Sequence, residues 1–274
     1  MRQFYLLNGN GNKYDVTVKN DAFLHSVSGL GYAEENEYRR LGSRFQLLRN
    51  RYAQSKIIGS VHFVGQKNYQ DFVKFCQIKP ITMVYKPINK EYRCNGTVSL
   101  IGYDETNTKT VSFEFTPFSM FYEDVAVVTY PSSGQTEGKI YNYKYPYQYS
   151  SANENTVVLN LDTAIESPCK LTIYGPVTNP TWRHYVNGEL VATGGITGSI
   201  VSGNRLEIDT TGDAFTMIQY DALNNVVADM YQASDFGTIR AIYLRYGKNS
   251  IVVEDDNASK VTVAAEGNIY YAGV

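Results

Sequence analysis

Long apolar runs are missing from this chain, and no stretch is long enough to cross a bilayer as a helix. No charged-then-apolar opening of the signal-peptide kind is present either, so synthesis in a reducing cytosol is expected. Cysteine is scarce. Cys76, Cys94 and Cys169 lie far apart, which supplies neither a disulfide framework nor a metal knuckle. Charge is sparse as well: 19% of residues are charged and the net charge is −2. No global field therefore draws the protein to nucleic acid or to a membrane. His25, His62 and His184 sit in three separate strand-like contexts, without the HExxH or paired-His spacing of a metal site. There is no GxSxG elbow, no Walker loop and no dinucleotide-binding GxGxxG. Two acidic clusters remain, Asp209 with Asp213 and Glu254-Asp255-Asp256. Either could hold calcium or pair as glycosidase carboxylates, but Asp in a turn more simply bonds its own backbone. The sequence thus points to no enzyme, no metal and no cofactor.

Tyrosine is abundant: 24 residues against a single tryptophan. Its ring and polar tip suit half-buried strands and protein interfaces alike. The stretch Pro131 to Ser150 concentrates this feature. It opens with turn residues up to Gly138 and continues as Tyr141, Tyr143, Tyr145, Tyr147 and Tyr149. A spacing of two puts all five rings on one face of an extended segment, and Pro146 keeps that segment out of a sheet interior. The expected division is therefore residues 1–133, an extended connector at 134–150, and residues 151–274.

Both flanking halves read as β-structure. In the first, Asn8-Gly9-Asn10-Gly11 predicts a hairpin between Phe4–Leu7 and Tyr14–Val18. Asn68 is a candidate cap for one helix with apolar face Tyr69, Phe72, Val73 and Cys76. Val111, Phe113 and Phe115 alternate with polar residues, as in a strand with one buried face. In the second half, short strands follow one another between Gly, Asn and Asp turns, with a hairpin at Asn187-Gly188. That pattern is a sandwich or jelly roll. Trp182, after a proline turn, would be either a sandwich core residue or a platform for a sugar ring.

Between the first hairpin and the helix lies a polarised segment. Glu34, Glu35 and Glu37 are followed by Arg39, Arg40, Arg44, Arg49, Arg51 and Lys56 with no acid between them. It is either a solvated face with internal ion pairs, a nucleic-acid patch, or an arm whose positive part meets the negative part of an identical neighbour.

Along the chain come FYLLNGNG, SGLGY, IIGSVHFVG with YQDFVKF, MVYKP and VSFEFTPF, then YGPVTNPTW, GNRLEIDTTG and LRYGKNSIVV. This ordered set resembles the distal tail proteins of long-tailed phages infecting Gram-positive bacteria, the Dit family. The resemblance implies a mainly β fold: an amino-terminal ring-forming β-domain with one helix, and a carboxy-terminal galectin-like β-sandwich. It implies a homohexameric virion component at the tail tip, with an arm at about 29–56 clasping the next subunit. Gly29, Gly31, Tyr32, Glu34, Glu35, Arg39, Arg40, Arg44, Arg49 and Arg51 would form that subunit interface, and the connector tyrosines would pack on the ring. Implied partners are the tail tube protein, a tail-tip hub or tail-associated lysin-type protein and, in many relatives, receptor-binding proteins. DNA would pass the lumen without specific binding. The final segment, Gly267 to Val274, returns to the first domain in some relatives. A glycan-binding module acting through the second half is the alternative.

Overall fold

The computed structural model describes residues 3–17, 22–53, 55–102, 110–129, 155–257 and 261–274. These form two units: one of Met1–Glu123 with Tyr270–Val274, the other of Asp124–Ile269. The connector at 134–150, with Tyr141, Tyr143, Tyr145, Tyr147 and Tyr149, lies outside the described residues.

The first unit is built from β1 (Gln3–Leu7), β2 (Lys13–Asp15), β3 (Ala22–Ser28), β4 (Glu34–Leu41), β5 (Arg44–Tyr52), β6 (Ile57–Phe63), α1 (Gln66–Gln77), β7 (Ile81–Lys86), β8 (Tyr92–Ile101), β9 (Thr110–Pro117) and the start of β10 (Phe121–Thr129). The Asn8 side-chain oxygen accepts from the Asn10 and Asn12 amides and so closes the β1–β2 hairpin. Antiparallel pairing then runs β2-β1-β7-β8-β9-β6-β3. The ten-residue β8 pairs with β7 through Tyr92–Gly96 and with β9 through Gly96–Ile101, so one strand serves both sides of the core. Val111, Phe113 and Phe115 of β9 are buried, as their alternation predicts, and join Phe4, Leu6, Val61, Phe63 and Met83.

The helix closes this core through Phe72, whose ring lies 5.4 Å from Phe63 and 5.0 Å from Tyr14. Phe72 is its one fully buried side chain; Tyr69 and Cys76 of the predicted stripe pack at the margin. The capping expectation needs correction. Gly65 occupies the N-cap position without a side-chain cap, and Asn68, a turn further in, donates its amide to the Val64 carbonyl at 2.7 Å.

The second unit contains β11 (Thr156–Leu161), β12 (Ser167–Tyr174), β13 (Val177–Thr178), β14 (Thr181–Val186), β15 (Glu189–Gly195), β16 (Ser199–Ile200), β17 (Arg205–Asp209), β18 (Thr216–Tyr220), β19 (Val226–Asp229), β20 (Tyr243–Leu244), β21 (Gly247–Glu254) and most of β22 (Thr262–Tyr271). One antiparallel sheet runs β19-β18-β17-β12-β22, with β20 also on β12; the other runs β11-β21-β14-β15. Each contributes alternate buried residues: Leu171, Ile173, Leu206 and Ile208 from the first, Val157, Trp182, Ile251 and Val253 from the second. This is the β-sandwich expected from the short, evenly spaced strands. The chain ends in the first unit, where the Val274 amide donates to the Leu30 carbonyl at 2.9 Å and the Tyr271 hydroxyl donates to Glu123 at 3.1 Å.

Candidate functional site

Among the described residues the histidines and cysteines are not grouped with acids into a metal-type cluster. His25 faces Ser26, His62 faces Thr110, and His184 is fully buried beside Asn249. Burial pushes the Cys76 and Cys169 thiols up to about 12 and the Cys94 thiol up to about 11, where they are protonated and poor nucleophiles at neutral pH. Among the described residues no three His, Cys, Asp or Glu side chains are grouped to hold a metal. Asp209 does what a turn aspartate does, accepting from the Thr211 amide at 2.7 Å. Asp256 accepts from the Asn179 side chain at 2.6 Å. Trp182 is fully buried, with its indole N–H donating to the Arg240 carbonyl at 3.1 Å, so it has no face to offer a sugar.

What remains is the polarised segment, which folds as an isolated two-stranded hairpin of β4 and β5. Its root is tightly made. Gly29 has φ +90, and a Cβ there would lie 2.0 Å from the Lys56 carbonyl oxygen, so glycine is required where the two legs meet the domain. The Ala53 amide then donates to the Ala33 carbonyl. Lys56 donates to Glu114 of β9 at 2.8 Å, and that bond holds the Glu114 carboxyl below its ordinary range. The tip is a two-residue turn between Leu41 and Arg44, with Gly42 at φ +60, the conformation a tight hairpin demands of its first central residue.

Register decides where the charges go. Cross-strand pairs set Glu35 opposite Arg51 and Glu37 opposite Arg49. Arg51 donates to Glu35 at 2.6 Å, Asn50 donates to Glu34 at 2.8 Å, and the Tyr32 hydroxyl also bonds Glu34. The uninterrupted basic run of the sequence is therefore folded in half. Arg51 pairs with Glu35, Arg49 stands opposite Glu37 and Lys56 reaches Glu114 of β9, which leaves the tip cationic through Arg39, Arg40 and Arg44.

Register also makes the hairpin two-faced. A bulge between Glu37 and Tyr38 absorbs Leu48 and shifts the alternation of β5. One face then carries Glu35, Glu37, Arg39 and Leu41 opposite Arg51, Arg49, Gln46 and Arg44. The other carries Tyr38 and Arg40 opposite Leu47 and Phe45 toward the tip, and Glu34 and Asn36 opposite Tyr52 and Asn50 toward the root. Every residue of both strands is exposed, Phe45 at 71% and Tyr38 at 56%. These four apolar residues escape a reading of the sequence because the bulge breaks their period of two. The Gly42-Ser43 pair was the available signal for the turn. Gly29, Gly31 and Tyr32 of the predicted interface sit at the root, and Tyr32 meets Tyr52 edge-on at 6.0 Å.

Residues 3–120 match the family model for the distal tail protein, N-terminal domain. Among solved structures, the phage P2 baseplate in its activated conformation with Ca matches at TM-score 0.60 and 16% identity, covering 100% of both chains. The SPP1 Dit protein, from a Gram-positive-infecting phage, matches at TM-score 0.63 and 8% identity, over 96% of this chain and 98% of that one. No curated protein sequence matches. Residues 3–120 therefore carry the N-terminal domain of the distal tail protein family. The structural matches, both below 25% identical, show that the whole chain shares the fold of these phage tail proteins.

Proposed function

We propose that the chain assembles as a homohexameric ring in which each β4–β5 arm lies on the next copy. The ring would join the tail tube to the tail-tip hub, with DNA passing through its lumen. The observation that carries this reading is the arm itself: a two-stranded hairpin whose outer residues Tyr38, Phe45 and Leu47 are exposed and meet no further strand among the described residues. An isolated hairpin is marginal in water, and burying each of Tyr38, Phe45 and Leu47 is worth about 1.5–3 kcal/mol, so a covering surface is strongly favoured. The cationic tip supports a charged partner surface, and the SPP1 and P2 matches support the tail-tip setting. The second unit serves as a docking surface for host-recognition proteins. Its sandwich exposes loops at both ends, and its tryptophan is core, which disfavours the glycan-binding alternative.

The test is assembly of the Arg39→Glu, Arg40→Glu double variant, followed by light scattering and electron microscopy. Wild-type protein is expected to form rings that weaken with salt, since exposed charges are screened over about 10 Å at 0.1 M. The variant is expected to remain a folded monomer. Wild-type rings matched by the variant at every salt concentration would remove the arm's charge from the interface.

A further inference from the structure

The root of the arm borders an open cavity of about 250 Å³. One wall is formed by the arm legs through Gly31 and Tyr52, another by the chain end through Ala272, and the remainder by Pro117, Met120 and Phe121 at the β9–β10 turn. All of these belong to the first unit. Small-molecule sites usually begin near 300 Å³ and carry convergent polar groups, so this cavity is undersized for a metabolite. An apolar cavity of about 150 Å³ holds a benzene ring, so it is ample for one aromatic side chain. Phe118 at its rim is 61% exposed, which extends the apolar surface outward.

We propose that this cavity receives Phe45 from the arm tip of a second copy of the chain. The inference rests on the reading of the arm as an intersubunit element, and it names the site that the arm engages. Two observations select this occupant. Phe45 is the most exposed aromatic residue of the arm, and it stands on the apolar face beside Arg40. The charges then match in register. A tip bearing Arg39, Arg40 and Arg44 would arrive where Glu34, Glu35 and Glu37 cluster; Arg51 and Arg49 stand opposite Glu35 and Glu37, while Glu34 stands opposite Tyr52 and accepts from the neutral Asn50 and Tyr32, which leaves one carboxylate in excess. The contact is head-to-tail, so it repeats from copy to copy and closes into a ring. It also sets a length. An eight-residue β4 spans about 26 Å, so neighbouring arm roots would be about 26 Å apart, and six roots would lie on a circle of about 26 Å radius.

The experiment places the photo-crosslinking residue p-benzoylphenylalanine at position 45 of the full chain, and irradiates the assembled protein. The expected product is an intermolecular adduct whose cross-linked peptide contains residues 117–121 or 271–272. An adduct mapping elsewhere on the second copy would overturn the cavity assignment while leaving the arm as an intersubunit element. Absence of any intermolecular adduct from assembled rings would overturn both. A double-mutant cycle gives an independent check. Phe45→Ala and Ala272→Phe, the second filling the cavity in its own chain, should each weaken the contact about a hundredfold. Combined, they should do no more than either alone. Additive losses would show that the two positions do not meet.

Discussion

Two hairpins in this molecule are built alike and used oppositely. The arm, β4–β5, turns on Gly42-Ser43 and carries a bulge after Glu37; β14–β15 turns on Asn187-Gly188 and carries a bulge after His184. Both are antiparallel ribbons with a two-residue turn and a mixed sequence. Yet β14–β15 buries Trp182 and His184 completely, whereas every residue of the arm's strands is exposed. The difference lies in what adjoins them. A third strand, β21, pairs along β14 and brings Ile251 and Val253 to the same face. The arm has no third strand among the described residues, and its apolar face stays exposed. Turn chemistry makes a hairpin; its neighbours decide whether the apolar face becomes core.

The comparison breaks most sharply at the two aromatic residues. Trp182→Ala is expected to cost the second unit about 3–5 kcal/mol, from the cavity and from the lost bond to the Arg240 carbonyl. Phe45→Ser should leave the monomer's denaturation midpoint unchanged within about 0.5 kcal/mol while impairing assembly. Chemical denaturation of both variants under dissociating conditions reads the contrast. A destabilised Phe45→Ser monomer would mean that the arm face packs within its own chain.

A second, smaller difference is expected in acid. Burial holds the His184 pKa below its ordinary 6.5; the hydrogen bond to Asn249 opposes this and nearby Arg245 adds to it. Its Nδ1 has no hydrogen-bond partner in the described structure. The unfolded chain therefore takes up a proton near pH 6.5 while the folded chain resists until lower pH. This stabilising contribution is complete above pH 6.5 and is lost as pH falls from there through the folded value. The arm contains no histidine. Denaturation at pH 7.5 and 5.5 should show a loss confined to the second unit and diminished in His184→Gln. An equal acid effect in the first unit would tie it to carboxylates instead.

The smallest effect is expected at the turns. Asp209→Asn keeps an acceptor for the Thr211 amide, so stability should change by no more than about 0.5 kcal/mol, with or without calcium. A calcium-dependent shift in the wild-type melt that this variant abolishes would mark Asp209 as a ligand and not a turn residue.

Local signals in the sequence were enough to determine the reversals at Asn8–Gly11 and Asn187-Gly188, the alternation of Val111, Phe113 and Phe115, the single helix, and the mainly β class. Each depends on residues within a few positions of one another. That Glu34 to Lys56 is polarised was equally legible. Tertiary structure alone decided that Arg49 and Arg51 fold back onto Glu37 and Glu35, because that pairing depends on a turn and a bulge that shift the register by one. It also decided that Trp182 is core and that Gly65, not Asn68, begins the helix. Above all, it decided that Tyr38, Phe45 and Leu47 share an exposed face that no other strand of the described structure covers. A period of two tells which side chains point together. What they point at is set by strands far away in the chain, and for the arm no strand of the described structure supplies it.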